Sequence, residues 1–234
     1  VVFTSKQVNA AIKEKVRPAL RAAGFDKFDP RNGWRHRPES IAVVNFQSFN
    51  AYKAGTLGCT TFSFGVNAAV YYPCVHDTPW AAKWPVFFQV RPADPPESGC
   101  HARRQLEKRV SQPDYPRPDI WYVRPDGENL GAVIDDAVAA IVDVGLPWLD
   151  AFGDLSHALS EYRTPRQVGR KEYVCAFGTE KAADEGSAVA FALGDLDAAR
   201  SLWQAVIDSP YYARFPETLA KARSILSSID DAAV

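Results

Sequence analysis

Methionine is absent from the 234 residues, cysteine occurs only four times, and no apolar run approaches the roughly 18 residues of a membrane span. Each shortage excludes something. Four cysteines are too few for a scaffold built on disulfides, and the missing apolar run excludes an integral helical membrane protein. No basic stretch followed by an apolar one opens the chain, so no secretory signal is expected in it, and the first residue, Val1, is expected of a trimmed or processed start. Also lacking are a glycine-rich phosphate loop with Lys-Ser/Thr, a Gly-x-Gly-x-x-Gly turn, a Gly-x-Ser-x-Gly elbow, a cysteine-protease signature and a Cys-x-x-Cys pair. No catalytic class therefore declares itself.

What is present suits a packed protein. Hydrophobic residues make up 47% and charged residues 24%, enough to build a core and too apolar for a disordered chain. The net charge of −1 argues against a general polyanion binder. It hides a division, since residues 1–125 carry 18 Lys+Arg against 10 Asp+Glu and residues 126–234 carry 9 against 18. Two regions of different surface character follow.

The period of the apolar residues divides the chain the same way. Thr4 and Gln7 have capping-box spacing, and Val8, Ala11, Ile12, Val16, Ala19, Leu20 and Ala23 form one helical stripe up to Gly24. Pro18 predicts a kink near Arg17 or two shorter pieces. Alternation then predicts strands over 41–49 and 60–72, joined by a hairpin connection containing Gly55 and Gly58, with an edge strand at Trp34–Arg37 before them. Residues 73–99 are proline-rich and irregular, with Trp80, Trp84, Phe87 and Phe88 to pack them down, and Asp119–Val123 reads as one more short strand. From Glu128 the pattern is helical: one helix ended by Gly145 and Pro147, and a second stretch over 148–162 interrupted near Gly153. A basic connector over 163–171 leads to helices over 179–193, 196–208 and 216–229.

The expected fold is α+β, a small, mainly antiparallel sheet packed by the N-terminal helix and a following long helix. The expected division is an α+β domain over 1–162 and a helical C-terminal extension over 163–234. Within the extension, Ala190 to Asp195 with Ala198, Ala199, Arg200 and Trp203 resembles one tetratricopeptide-type hairpin, and a single hairpin reads as a helical cap.

Three groups of residues carry candidate chemistry. Cys74, His76, Cys100 and His101 are the thiolate and imidazole types that suit zinc, though neither Cys-x-His nor adjacent Cys-His is a common zinc spacing. Two buried cysteines and two unrelated histidines are the plainer alternative, and no cofactor is expected. Asn45, Gln47 and Asn67 are amides inside apolar strands. Buried amides must find partners, so they either hold the sheet register or line a site for a polar ligand or a partner peptide. Arg103, Arg104, Lys108 and Arg109 form a basic run, and Arg103 or Arg104 would stand at the rim of the amide cluster. The adjacent pair Asp135-Asp136 diverges by about 100° on a helix and so cannot share a site.

Gly24-Phe25, Val44-Asn45-Phe46-Gln47-Ser48, Phe64-Gly65-Val66-Asn67, Cys100-His101-Ala102-Arg103-Arg104 and Asp119-Ile120-Trp121-Tyr122 occur in that order. The ordered set resembles the family called domain of unknown function 4304, over roughly residues 5–150. The resemblance implies a bacterial α+β domain with no established catalytic residues. Some such families neighbour toxin genes as immunity proteins. The expectation is accordingly a cytoplasmic, non-enzymatic protein that binds another protein, with a toxin as the immunity-type partner and with neither membrane nor nucleic acid as a target. The alternative is a small-ligand binder or enzyme that uses Asn45, Gln47, Asn67, Arg103 and Arg104.

Overall fold

A computed structural model of the chain describes residues 2–81, 91–163, 172–174 and 179–232, with backbone alone for 172–174 and Thr179. Trp84, Phe87 and Phe88 of the irregular stretch, and nearly all of the basic connector at 163–171, lie outside the described residues.

Helix α1 (Ser5–Ala11) starts as the capping-box spacing predicts, with the Thr4 N–H donating to Gln7 Oε1 at 2.6 Å. The helix then widens into a π-turn over Ile12–Val16, where the Arg17 N–H bonds Ile12 O five residues back, and continues as α2 (Arg17–Ala22). Pro18 has no N–H to give, and the widened turn immediately before it lets the chain stay helical past the proline. Gly24 follows at a φ of 85°, the left-handed turn that ends the helix.

Six strands form one antiparallel sheet in chain order: β1 (Lys27–Phe28), β2 (Asn32–His36), β3 (Ile41–Ser48), β4 (Phe64–Tyr71), β5 (Ala102–Gln105) and β6 (Glu172–Val174). The meander expected from alternation is therefore present, with three differences. Strand β2 is internal, because β1 covers the edge it was expected to form. The connection after β3 holds a helix, α3 (Ala51–Leu57), because Asn50 caps it by accepting from the Lys53 N–H at 2.8 Å and Gly58 ends it at a φ of 68°. Residues 119–123 make a single bridge, Trp121 to Phe64, rather than a strand.

Strand alternation gives the sheet two unlike faces. Ala42, Val44, Phe46, Val66, Ala68 and Val70 face the main core, where they join the α1–α2 stripe of Val8, Ile12, Val16 and Leu20. Helix α4 (Leu130–Ala140) brings Val133, Ile134 and Ala137 to the same core. Burying each large aliphatic side chain in it contributes about 1.5–3 kcal/mol. Gly145 and Pro147 do not end this helix as their residue types predict. A second π-turn over Ile141–Gly145, with the Leu146 N–H on Ile141 O, carries the chain into α5 (Leu146–Phe152), just as at Pro18.

Helices α6 (Leu155–Arg163), α7 (Thr179–Ala192), α8 (Leu196–Asp208) and α9 (Pro216–Asp231) complete the chain. Gly194, at a φ of 75°, turns α7 into α8, and Asp195 caps α8 by accepting from the Ala198 N–H. Trp203 is fully buried and donates to Ser187 Oγ at 3.0 Å. Residues from α7, α8 and α9 belong to the same apolar cluster as the inner sheet face, and β6, which lies beyond residue 162, pairs with β5.

Candidate functional site

The outer face of the sheet is divided into an apolar half and a polar half. Trp34, Ile41, Val43, Ala69, Tyr71 and Cys100 form a separate buried cluster there. The 91–99 segment lies over it. Trp34 Nε1 donates to Pro95 O at 2.9 Å, and His36 contacts Asp26 and Ala93 O at 2.8 and 3.0 Å. His36 also sits 3.5 Å from Asp94, and Lys27 holds that same carboxylate at 2.5 Å.

The polar half is a ladder of amides. Register places Asn32 opposite Asn45, Asn45 opposite Asn67, and Asn67 opposite Gln105, so four neighbouring strands each contribute one amide to the same face. Gln47 lies two residues beyond Asn45 on that face, opposite Gly65. Asn67 Nδ2 donates to Asn45 Oδ1 at 3.4 Å, and Asn45 Nδ2 to Asn32 Oδ1 at 2.7 Å. Asn32 Nδ2 in turn donates to Asp29 Oδ2 at 2.8 Å. The other oxygen of Asp29 accepts the Arg31 and Asn32 N–H groups, which fixes the turn between β1 and β2.

Gln47 and Gln105 are half-buried and make no side-chain hydrogen bond among the described residues. They flank Gly65. A Cβ there would stand 3.9 Å from Gln47 Oε1, 3.6 Å from Gln105 Nε2 and 3.6 Å from Asp119 O. The glycine leaves a notch with an open acceptor on one wall, an open donor on the other and a backbone carbonyl at its end. That pattern complements a peptide or carboxamide group, which carries one donor and one acceptor of its own.

The structure brings together Asn45, Gln47 and Asn67 as expected from their positions on strands. It separates the two arginines. Arg103, opposite Ala69, shares the amide face and pairs with Glu97 at 2.7 Å, whereas Arg104, opposite Ala68, belongs to the helix-covered face. The remaining members of the basic run are engaged within the chain: Lys108 Nζ donates to Tyr115 O at 2.6 Å, and Arg109 pairs with Asp143. Asp135 and Asp136 do diverge. Asp135 pairs with Lys15 at 2.7 Å, while Asp136 accepts from Trp121 Nε1 and from the Arg109 and Val110 N–H groups. The ladder members that strand patterning passed over are Asn32 and Gln105. Each stands two residues from a position already placed on a strand or in the basic run, Trp34 and Arg103, and the same period-two count reaches both.

The zinc set is not assembled. Among the described residues no group of three or more His, Cys, Asp or Glu side chains is placed to hold a metal. Cys100 belongs to the outer apolar cluster, with Sγ 3.6 Å from Pro96 O, and Cys74 packs against the main core. Burial pushes the Cys74 thiol up to about 12 and raises that of Cys100 as well, so in the metal-free protein both stay protonated. His101 Nδ1 accepts the Tyr72 N–H at 2.8 Å, and burial holds its pKa well below the ordinary value, so the ring is a neutral acceptor stacked on Tyr71.

The chain is thus an α+β protein whose six-stranded sheet is covered by helices on one face and carries an amide strip on the other. It belongs to the family described as a domain of unknown function, DUF4304, which matches residues 16–151, more than half of the chain and including every member of the ladder. No curated protein matches it, and no solved structure does.

Proposed function

We propose that the protein acts by binding another protein, which seats a peptide or carboxamide group in the Gly65 notch. The observation that carries this reading is the pair of open amides, Gln47 and Gln105, on either side of a glycine. Across four strands spaced about 4.8 Å apart the strip runs about 14 Å, the length of roughly four extended residues and longer than a small polar molecule. Its groups are neutral amides, which give hydrogen bonds and directional readout but neither take up nor release a proton near neutral pH, and this favours recognition over acid–base chemistry. A toxin bound by an immunity-type factor is one partner of this kind. The proposed setting is a bacterial cytoplasm, which the free thiols Cys59, Cys74 and Cys100 suit. No helix among the described residues is long and apolar enough to cross a membrane.

The test is affinity capture from lysate of the native host with the wild-type chain and with Gly65→Ala, whose added methyl fills the notch. A single stoichiometric partner retained by the wild type and released by the variant, at unchanged thermal stability, supports the proposal. Equal retention by wild type, Gly65→Ala and Gln47→Ala overturns it.

A further inference from the structure

A second feature lies at the other end of the ladder, between the N-terminal helix and the β1–β2 turn, and stands independently of the Gly65 notch. A small pocket opens there, walled by Ile12, Leu20, Phe28 and Phe46 and lined also by Arg17 and Arg31. Its interior, about 10 Å³, has room for about one oxygen-sized atom. Arg17 Nη2 donates to Asp29 O at 2.7 Å, but Arg17 Nε and Arg31 Nη1 are buried donors without an acceptor. The carboxylate of Asp29, which also lines the pocket, is turned to the Arg31 and Asn32 N–H groups and to Asn32 Nδ2, and it bonds neither Arg17 Nε nor Arg31 Nη1. Arg21 adds a third guanidinium. It lies 5.1 Å from the Phe28 ring centroid, and Arg17 lies 5.6 Å from the same ring. Among the described residues none of these three arginines has a carboxylate within 4 Å.

Two cations over one aromatic ring, Arg17 and Arg21, and a third, Arg31, in the lining of the same pocket, with buried N–H groups of Arg17 and Arg31 facing no acceptor, are an incomplete electrostatic arrangement. A water molecule in the pocket would accept hydrogen bonds and leave the charge uncompensated. We infer that this pocket binds a carboxylate, which places one oxygen inside between Arg17 and Arg31 and leaves the second at the mouth beside Arg21. The space admits a single oxygen, which a planar carboxylate can present while its other oxygen stays in solvent. A tetrahedral phosphate held by three oxygens needs more room. Burial lowers the Arg31 pKa from its ordinary value, and an anion in the pocket relieves that cost.

The experiment follows the Arg17 Nε–H resonance of the full-length ¹⁵N-labelled protein during titration with sodium acetate at constant ionic strength. The expected result is a saturable shift with a midpoint of roughly 10 mM that chloride does not produce. Arg31→Gln weakens it about tenfold, and Arg21→Gln, at an exposed position where folding is not at stake, weakens it about threefold. A capped Gly-Glu-Gly peptide then distinguishes the source of the carboxylate. A lower midpoint than acetate assigns the site to an acidic side chain of a protein, and an equal or higher one to a free carboxylate. A shift that never saturates, one that chloride reproduces, or midpoints unchanged in both variants would overturn the inference. Saturation by phosphate without saturation by acetate would overturn the assignment to carboxylate.

Discussion

Asn67 stands directly opposite Asn45 across β3 and β4 and donates to it at 3.4 Å, and every further hydrogen bond of the ladder runs in the same direction, toward Asp29. Three amides in series therefore end on one carboxylate, an arrangement in which each bond polarises the next. Asn67 is buried and Asn45 half-buried, so removing either leaves a shielded polar atom without its partner. Asn67→Ala is expected to cost about 1–2 kcal/mol. A double-mutant cycle with Asn45→Ala should return a coupling of about 0.5–1 kcal/mol, read from urea unfolding. Additive single effects would mean that the two amides do not act as a pair.

Gln47 and Gln105 predict the opposite behaviour. Neither bonds another described side chain, so Gln47→Ala should leave the urea midpoint within about 0.5 kcal/mol of wild type. Gly65→Ala should be neutral or stabilising by up to about 1 kcal/mol. The distances of 3.6 to 3.9 Å around its Cβ are ordinary contacts, and alanine narrows the unfolded ensemble. Stability that falls by more than about 2 kcal/mol in Gly65→Ala would mean that the notch is already filled by structure.

Much of this arrangement was legible in the sequence because period and polarity make simple demands. An asparagine amid Val43, Val44 and Phe46 has to be paired, and a period of two puts Asn45 with Gln47. The paired strand Asn67 followed from the second alternating run. Arg103 and Arg104 illustrate the limit: the sequence leaves open which of the two stands at the rim, and strand geometry sends Arg103 to the amide face and Arg104 to the other. The zinc set failed for a similar reason, since Cys100 and Cys74 answer to two different apolar clusters. Pro18 does leave two shorter α-helical pieces, but Pro147 does not end its helix; before each proline the chain widens into a π-turn, a tertiary solution that local propensity does not encode. The Arg17–Arg31 pocket depends on how a helix meets a turn, and no pattern along the chain announces it.

Glu185 predicts a pH dependence. It is buried in α7, accepts from Tyr162 Oη at 2.9 Å and pairs with Lys181, yet burial pushes its carboxyl up to about 7. The folded protein therefore holds a proton that the unfolded chain releases near its ordinary value, and stability attributable to this group falls as pH rises from about 4.5 to about 7. Asp184, raised by burial beside Lys221, acts in the same sense. His101 opposes both: its depressed pKa removes stability as pH falls below about 6.5. The comparison that isolates Glu185 is the difference between wild type and Glu185→Gln, which keeps an acceptor for Tyr162. That difference should move in the variant's favour by about 2–3 kcal/mol between pH 5 and pH 8 in urea unfolding. A constant difference across that range would show that Glu185 is ionised throughout.

Gly186 tests whether the tail and the sheet fold as one unit. It packs against α6 so closely that a Cβ would stand 2.8 Å from Tyr162 Cβ and 3.0 Å from Leu202 Cδ1. Tyr162 Cβ sits at the backbone and cannot swing aside, so Gly186→Ala must push α7 off α6, at a cost of about 1–3 kcal/mol. The α7 helix shares its apolar cluster with the inner face of the sheet, and β6 pairs with β5. The loss should accordingly appear as a lower midpoint of a single calorimetric transition, with calorimetric and van't Hoff enthalpies equal. Two transitions, of which the substitution lowers only one, would instead divide the chain near residue 163 into a sheet domain and a separately melting helical extension.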